Sequence, residues 1–187
     1  MKWIFSILLV GLVSIAPFAS AHADTADIRC ENPALIVDVG QGNNARLVQA
    51  MLRRSDAVQA QLNEMATAAD LSDVRTLLIG VGASTKGLGA AGLDVGEERG
   101  RMEALLAAAK ENDITVVGIH IGGESRRGEL SDGFIERVAE LSDVFVVWGE
   151  GNEDGFFDQL AARYNVPMHL VERRLEISAK IESLFQP

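Results

Sequence analysis

The residues with chemistry to offer fall in four glycine-broken segments, each following an apolar run. Gln41 and Asn43 lie in Gly40-Gln41-Gly42-Asn43-Asn44, and Ser84, Thr85 and Lys86 open the stretch Gly82–Gly92. His120, Glu124, Arg126 and Arg127 end the run TVVGIHIGGESRRG, Thr115–Gly128, and Asn152 closes Gly149-Glu150-Gly151-Asn152. Arg126 and Arg127 offer bidentate donors for a carboxylate, or charge for Glu124, Glu129 and Asp132 at the surface. Lys86 with the Ser84 and Thr85 hydroxyls suits a carboxylate or phosphate. His120 with Glu124 suits acid–base work.

Cofactor chemistry fares less well. Gly40–Ala45 spells G-x-G-x-x-A, but its acidic ribose partner would have to be Glu64, beyond a doubtful strand. The same loop has none of the Ser and Thr that hold a flavin phosphate. A zinc site needs three or four converging ligands. Outside the first residues, His120 is joined only by His169, and no ligand spacing appears. Ser84 and Lys86 have the spacing of neither a helix face nor an elbow, which disfavours a Ser–Lys nucleophile. No cofactor and no metal are expected.

Positioning these segments requires strands that end beside them. Ala34–Val39, Arg75–Val81, Ile114–Ile121 and Val144–Trp148 are near-continuous apolar runs, as in strands buried on both faces. Between them lie amphipathic stretches: Ala45–Arg54, a helix from Asp94 to about Asn112, one capped by Ser131, and one striped by Phe156, Phe157, Leu160 and Tyr164. Pro167–Val171 reads as a last short strand and Leu175–Phe185 as a last helix, with Glu176 and Lys180 at i,i+4. Ala57–Leu62 fits helix and strand about equally, and topology favours a strand. Gly82–Gly92 reads as a long glycine-rich loop. Alternation of strands and helices predicts right-handed crossovers and one doubly wound three-layer α/β domain. Its mostly parallel sheet of 5-6 strands should follow the flavodoxin-like order 2-1-3-4-5 plus an edge strand. The four segments then share the carboxyl edge of the sheet, where such folds bind ligands.

Residues 1-23 read as a signal peptide: Lys2, an apolar run Trp3–Val13, and Ala21-His22-Ala23 as cleavage signal. The run is shorter than the roughly 20 residues a membrane span needs. Cleavage after Ala23 implies a periplasmic or secreted protein, with 24-33 as an extended lead-in and 34-187 as the domain. The chain carries 17 basic and 27 acidic residues, a net charge of −10 that disfavours nucleic acid and anionic membranes. Cys30 is the one cysteine, so no internal disulfide can form.

The segments LLIGVGASTKGLGAAGLD (Leu77–Asp94), VVGIHIGGESRRGELSDGFI (Val116–Ile135) and VVWGEGNEDGFF (Val146–Phe157) resemble a family of exported bacterial proteins, domain of unknown function 6305. The likeness runs from Pro33 to Phe185. It implies an exported single α/β domain and assigns no activity. The leading expectation is a binding or accessory protein for a small anionic ligand, in a periplasmic uptake or sensing system. The alternatives are a hydrolase or transferase using His120 and Glu124, and a protein-interaction module with Cys30 as an attachment point.

Overall fold

β-branched and leucine-rich runs with few polar interruptions become the four central strands of one parallel sheet, and two shorter strands flank them. The structure, a computed structural model, describes residues 28–186. The strands are β1 (Ala34–Val39), β2 (Ala60–Leu62), β3 (Thr76–Val81), β4 (Thr115–His120), β5 (Val144–Trp148) and β6 (Met168–Val171). They lie in the order β2-β1-β3-β4-β5-β6, every neighbouring pair parallel. The expected flavodoxin-like order and its added edge strand are both present, and Ala57–Leu62 resolves as a strand over its last three residues. The two targeting and lead-in assignments for 1-23 and 24–27 fall outside the described residues.

Among the described residues there are six α-helices, α1 (Asn44–Leu52), α2 (Thr85–Ala91), α3 (Val95–Glu111), α4 (Glu129–Leu141), α5 (Phe156–Tyr164) and α6 (Glu176–Leu184), and all but α2 pack on the faces of the sheet. Strand side chains alternate between the two faces. Leu35, Val37, Leu77, Ile79, Val116 and Phe145 pack under α3, α4 and α5. Ile36, Leu78, Val117, Ile119 and Val146 pack under α1 and α6. Both layers close β1, β3, β4 and β5 to solvent, which is why these four strands read as near-continuous apolar runs. The lead-in joins the second layer: Cys30 is buried, its amide donates to the Leu184 carbonyl at 2.8 Å, and Thr76 Oγ1 donates to the Glu31 carbonyl at 2.8 Å.

Three local expectations are corrected. Gly82–Gly92 is not one open loop, because Thr85–Ala91 forms α2. Ser84 caps it, its hydroxyl accepting from the Gly87 amide at 3.1 Å, and Gly92 closes it in the left-handed conformation. Ser131 is not a cap, since α4 starts at Glu129; its hydroxyl instead accepts from the Ala83 amide at 3.0 Å and ties α4 to the end of β3. Glu176 pairs with Arg173 at 2.6 Å rather than with Lys180. Asp94 and Glu97 form a capping box at the start of α3.

Candidate functional site

At the carboxyl end of β1, Asp38 engages the backbone amides of the glycine loop. Its two carboxylate oxygens accept from the Gly42 amide at 2.9 Å and the Ala45 amide at 3.0 Å. A side chain of the sheet thus occupies the place at the start of α1 where a bound anion would dock. Burial pushes the Asp38 carboxyl up to about 7; the two amides act against this, and the charges of Glu64 and Glu98 add to it. Gln41 turns away from the edge and donates from Nε2 to Glu98 Oε1 at 3.3 Å. Glu98 is fully buried and also accepts from the Gly40 amide at 2.8 Å and from Arg101 at 2.7 and 2.8 Å. The loop is held from below by α3 through Glu98. A Cβ on Gly42 would collide with the Gly82 carbonyl, so this glycine serves loop-to-loop contact.

The β4 residue His120 is fully buried. Its Nδ1 lies 3.0 Å from the Val81 carbonyl, which only accepts, so Nδ1 carries the proton. The same carbonyl accepts from Asn44 Nδ2 at 3.0 Å, so one oxygen joins the ends of β3 and β4 to the start of α1. The ring lies 5.2 Å from the Phe157 ring. Burial holds the imidazole down to about 4, with Arg127 adding to the shift and the Val81 carbonyl opposing it. Nε2 is without a hydrogen-bond partner among the described residues.

Arg127 and Asn152 are also committed inward. Arg127 Nε donates to Asp132 at 2.6 Å, an Arg127 terminal nitrogen donates to the Gly151 carbonyl at 2.8 Å, and the guanidinium lies 3.7 Å from the Phe156 ring centre. Asn152 Oδ1 accepts from the Phe157 amide at 2.8 Å and Nδ2 donates to Asp158 at 3.0 Å, fixing the first turn of α5. Thr85 and Lys86 are exposed on α2.

What remains is a cleft of about 400 Å³ at the carboxyl edge, on the α1 and α6 side. Of the residues singled out in the sequence, it collects Asn43, Glu124 and Arg126. Gln41, Ser84, Thr85, Lys86, His120, Arg127 and Asn152 do not line it. Its other charged walls are Glu150, Glu153 and Arg174, and Leu47, Ile121 and Trp148 supply apolar surface. Gly122 forms part of its floor, and a Cβ there would stand 3.0 Å from His120 Nε2, so the imidazole edge lies directly beneath. Trp148 donates from its indole nitrogen to the Glu172 carbonyl at 3.3 Å, and the Arg174 guanidinium lies 4.7 Å from its ring centre. Sequence reasoning passed over Trp148, Glu150, Glu153 and Arg174. The carboxyl-edge rule applied to β5 and β6 as strictly as to β4 would have found them, because Trp148 ends β5, Glu150 and Glu153 lie in the segment after it, and Arg174 lies just past β6.

Among the described residues, no group of three or more His, Cys, Asp and Glu side chains could hold a metal ion, and no helix is long and apolar enough to cross a membrane. Comparison with curated proteins finds no match. The model of a domain of unknown function (DUF6305) matches residues 31–185, which takes in all six strands and all six helices. The chain belongs to the DUF6305 family.

Proposed function

We propose that this protein binds a small ligand bearing an anionic group in the carboxyl-edge cleft, acting outside the cytoplasm as a binding or accessory component of an uptake or sensing system. One observation carries the reading: Arg126 and Arg174 both line the cleft, and neither is paired with a carboxylate within 4.0 Å among the described residues. Guanidinium groups left open on a concave surface suit carboxylate or phosphate capture. The export step rests on the leader-like residues 1-23. Acid–base chemistry by His120 gains no support, since the imidazole is enclosed and does not line the cleft. Attachment through Cys30 gains none either, as the thiol is 5% exposed.

The test is a thermal-shift screen against succinate, phosphate and the common amino acids, with an Arg126→Ala/Arg174→Ala variant alongside. The expected outcome is a rise in Tm with at least one compound, lost in the variant. No rise with any of them would sink the reading. Fractionation of cells producing the chain checks export: retention in the cytoplasm would remove that part.

A further inference from the structure

Three carboxylates share the cleft with the two guanidiniums. Glu124, Glu150 and Glu153 line the same 400 Å³ as Arg126 and Arg174. Among the described residues none of the five makes a side-chain hydrogen bond or an ion pair within 4.0 Å. Elsewhere in the fold, opposite charges in reach of one another close up: Arg46 on Glu64 at 2.7 Å, Arg137 on Glu103 at 2.7 Å, Arg163 on Glu136 at 2.6 Å.

Two of the five are held by other contacts. Arg174 is drawn over the Trp148 ring, which is itself anchored to the Glu172 carbonyl. Glu150 is packed against the backbone of Gly123, where a Cβ would stand 3.4 Å from Glu150 Oε2 and 3.5 Å from the Trp148 ring. A purely anionic ligand would face three carboxylates in this space, and a purely cationic one two guanidiniums. Like charges sharing a cleft repel. A molecule carrying both signs meets partners for each.

We infer that the ligand is a zwitterion of amino-acid type, its carboxylate toward Arg126 and Arg174 and its ammonium toward Glu124 and Glu150. Leu47, Ile121 and Trp148 are left to take its side chain. The inference rests on the binding function proposed above and narrows its ligand class.

The chain has two tryptophans, Trp3 and Trp148. In the Trp3→Phe chain, Trp148 fluorescence therefore reports the cleft alone. The titration uses each common amino acid, then the deaminated acid and the methyl ester matching the tightest of them, with succinate and phosphate for comparison. The expected result is an amino acid that binds at least about tenfold tighter than both its deaminated acid and its ester. In Glu124→Gln/Glu150→Gln the advantage over the deaminated acid should fall below about threefold, since the ammonium loses its charged partners. Binding of succinate, phosphate or the deaminated acid as tight as that of any amino acid overturns the zwitterion and leaves the anion-binding function standing. An advantage that survives the double substitution also overturns it. No binding of any probe, by fluorescence or by calorimetry, overturns both.

Discussion

Arg126 and Arg127 are neighbours with opposite tasks. A three-residue 3-10 turn, Glu124–Arg126, leaves Arg126 on the cleft and sends Arg127 under the β5–α5 connection. The Arg127 side chain is 7% exposed, and its guanidinium is spent on Asp132, Asp154, the Gly151 carbonyl and the Phe156 face. Lysine matches neither the planar stacking nor the fork geometry. Arg127→Lys should therefore lower stability by about 2 kcal/mol in urea unfolding, through loss of buried hydrogen bonds, while leaving the Trp148 fluorescence response to ligand in place. A cost indistinguishable from that of Arg126→Lys would show that Arg127 is no brace. The sequence offered both arginines equally, because the direction of each depends on a turn whose residues carry no marked preference. Cys30 is a second case in which surroundings decide. Burial pushes its thiol up to about 12, with the Thr76 hydroxyl opposing the shift and Asp143 adding to it. A disulfide reagent should label Cys30 only under unfolding conditions, and rapid labelling of the native chain would contradict the packed lead-in.

Elements were easiest to read where burial repeats a pattern and hardest where glycine and charge take over. The apolar runs of β1, β3, β4 and β5 give strands with bounds within a residue or two of expectation, since both faces of a central parallel strand are covered. Gly82–Gly92 reads as a loop because glycine weakens helices. The Ser84 cap and the Gly92 terminus instead enclose a seven-residue helix there, and a Cβ on Gly87 would collide with the Gln41 carbonyl, so that glycine is needed for contact with the first loop. The coupling of α3 to β1 was out of reach altogether. Glu98 looks like one more acid on a charged helix face, yet it is fully buried, pairs with Arg101 at 2.7 Å and holds the Gly40 amide at 2.8 Å. Arg101 extends the brace to the Asp38 and Ala66 carbonyls. Removing one member of such a buried pair strands the other charge, at a cost of about 3–5 kcal/mol. Glu98→Gln should show a loss of that order in chemical denaturation, and hydrogen exchange should quicken at Gly40. An effect below about 1 kcal/mol, the range of an exposed pair, would mean the network is not structural.

Across the whole molecule, two buried titratable groups on opposite sides of β3 set opposing pH dependences. The Asp38 carboxyl is raised to about 7, chiefly by burial, with Glu64 and Glu98 nearby. Its contribution to stability is fully present below the unfolded value of 3.8 and is lost as pH rises through 7. The His120 imidazole is lowered to about 4, again chiefly by burial, with Arg127 and Asp132 as the near charges. Its contribution is fully present above 6.5 and is lost as pH falls through 4. Between about pH 5 and 6.5 the two slopes have opposite signs, each at most about 1.4 kcal/mol per pH unit. The carboxylates held low by hydrogen bonds, such as Asp70 and Glu176, bear mainly on more acidic conditions. His169, also lowered by burial, adds to the His120 slope, so the native urea midpoint should change less across this window than that of either variant below. His120→Gln removes the imidazole's contribution, so its stability should fall as pH rises; Asp38→Asn removes the carboxyl's contribution, so its stability should climb. Each variant serves as a control for the other, because both lose packing but they tilt the profile in opposite directions. Urea midpoints at three pH values decide the matter, and parallel profiles for the two variants would show that neither group titrates differently in the folded chain.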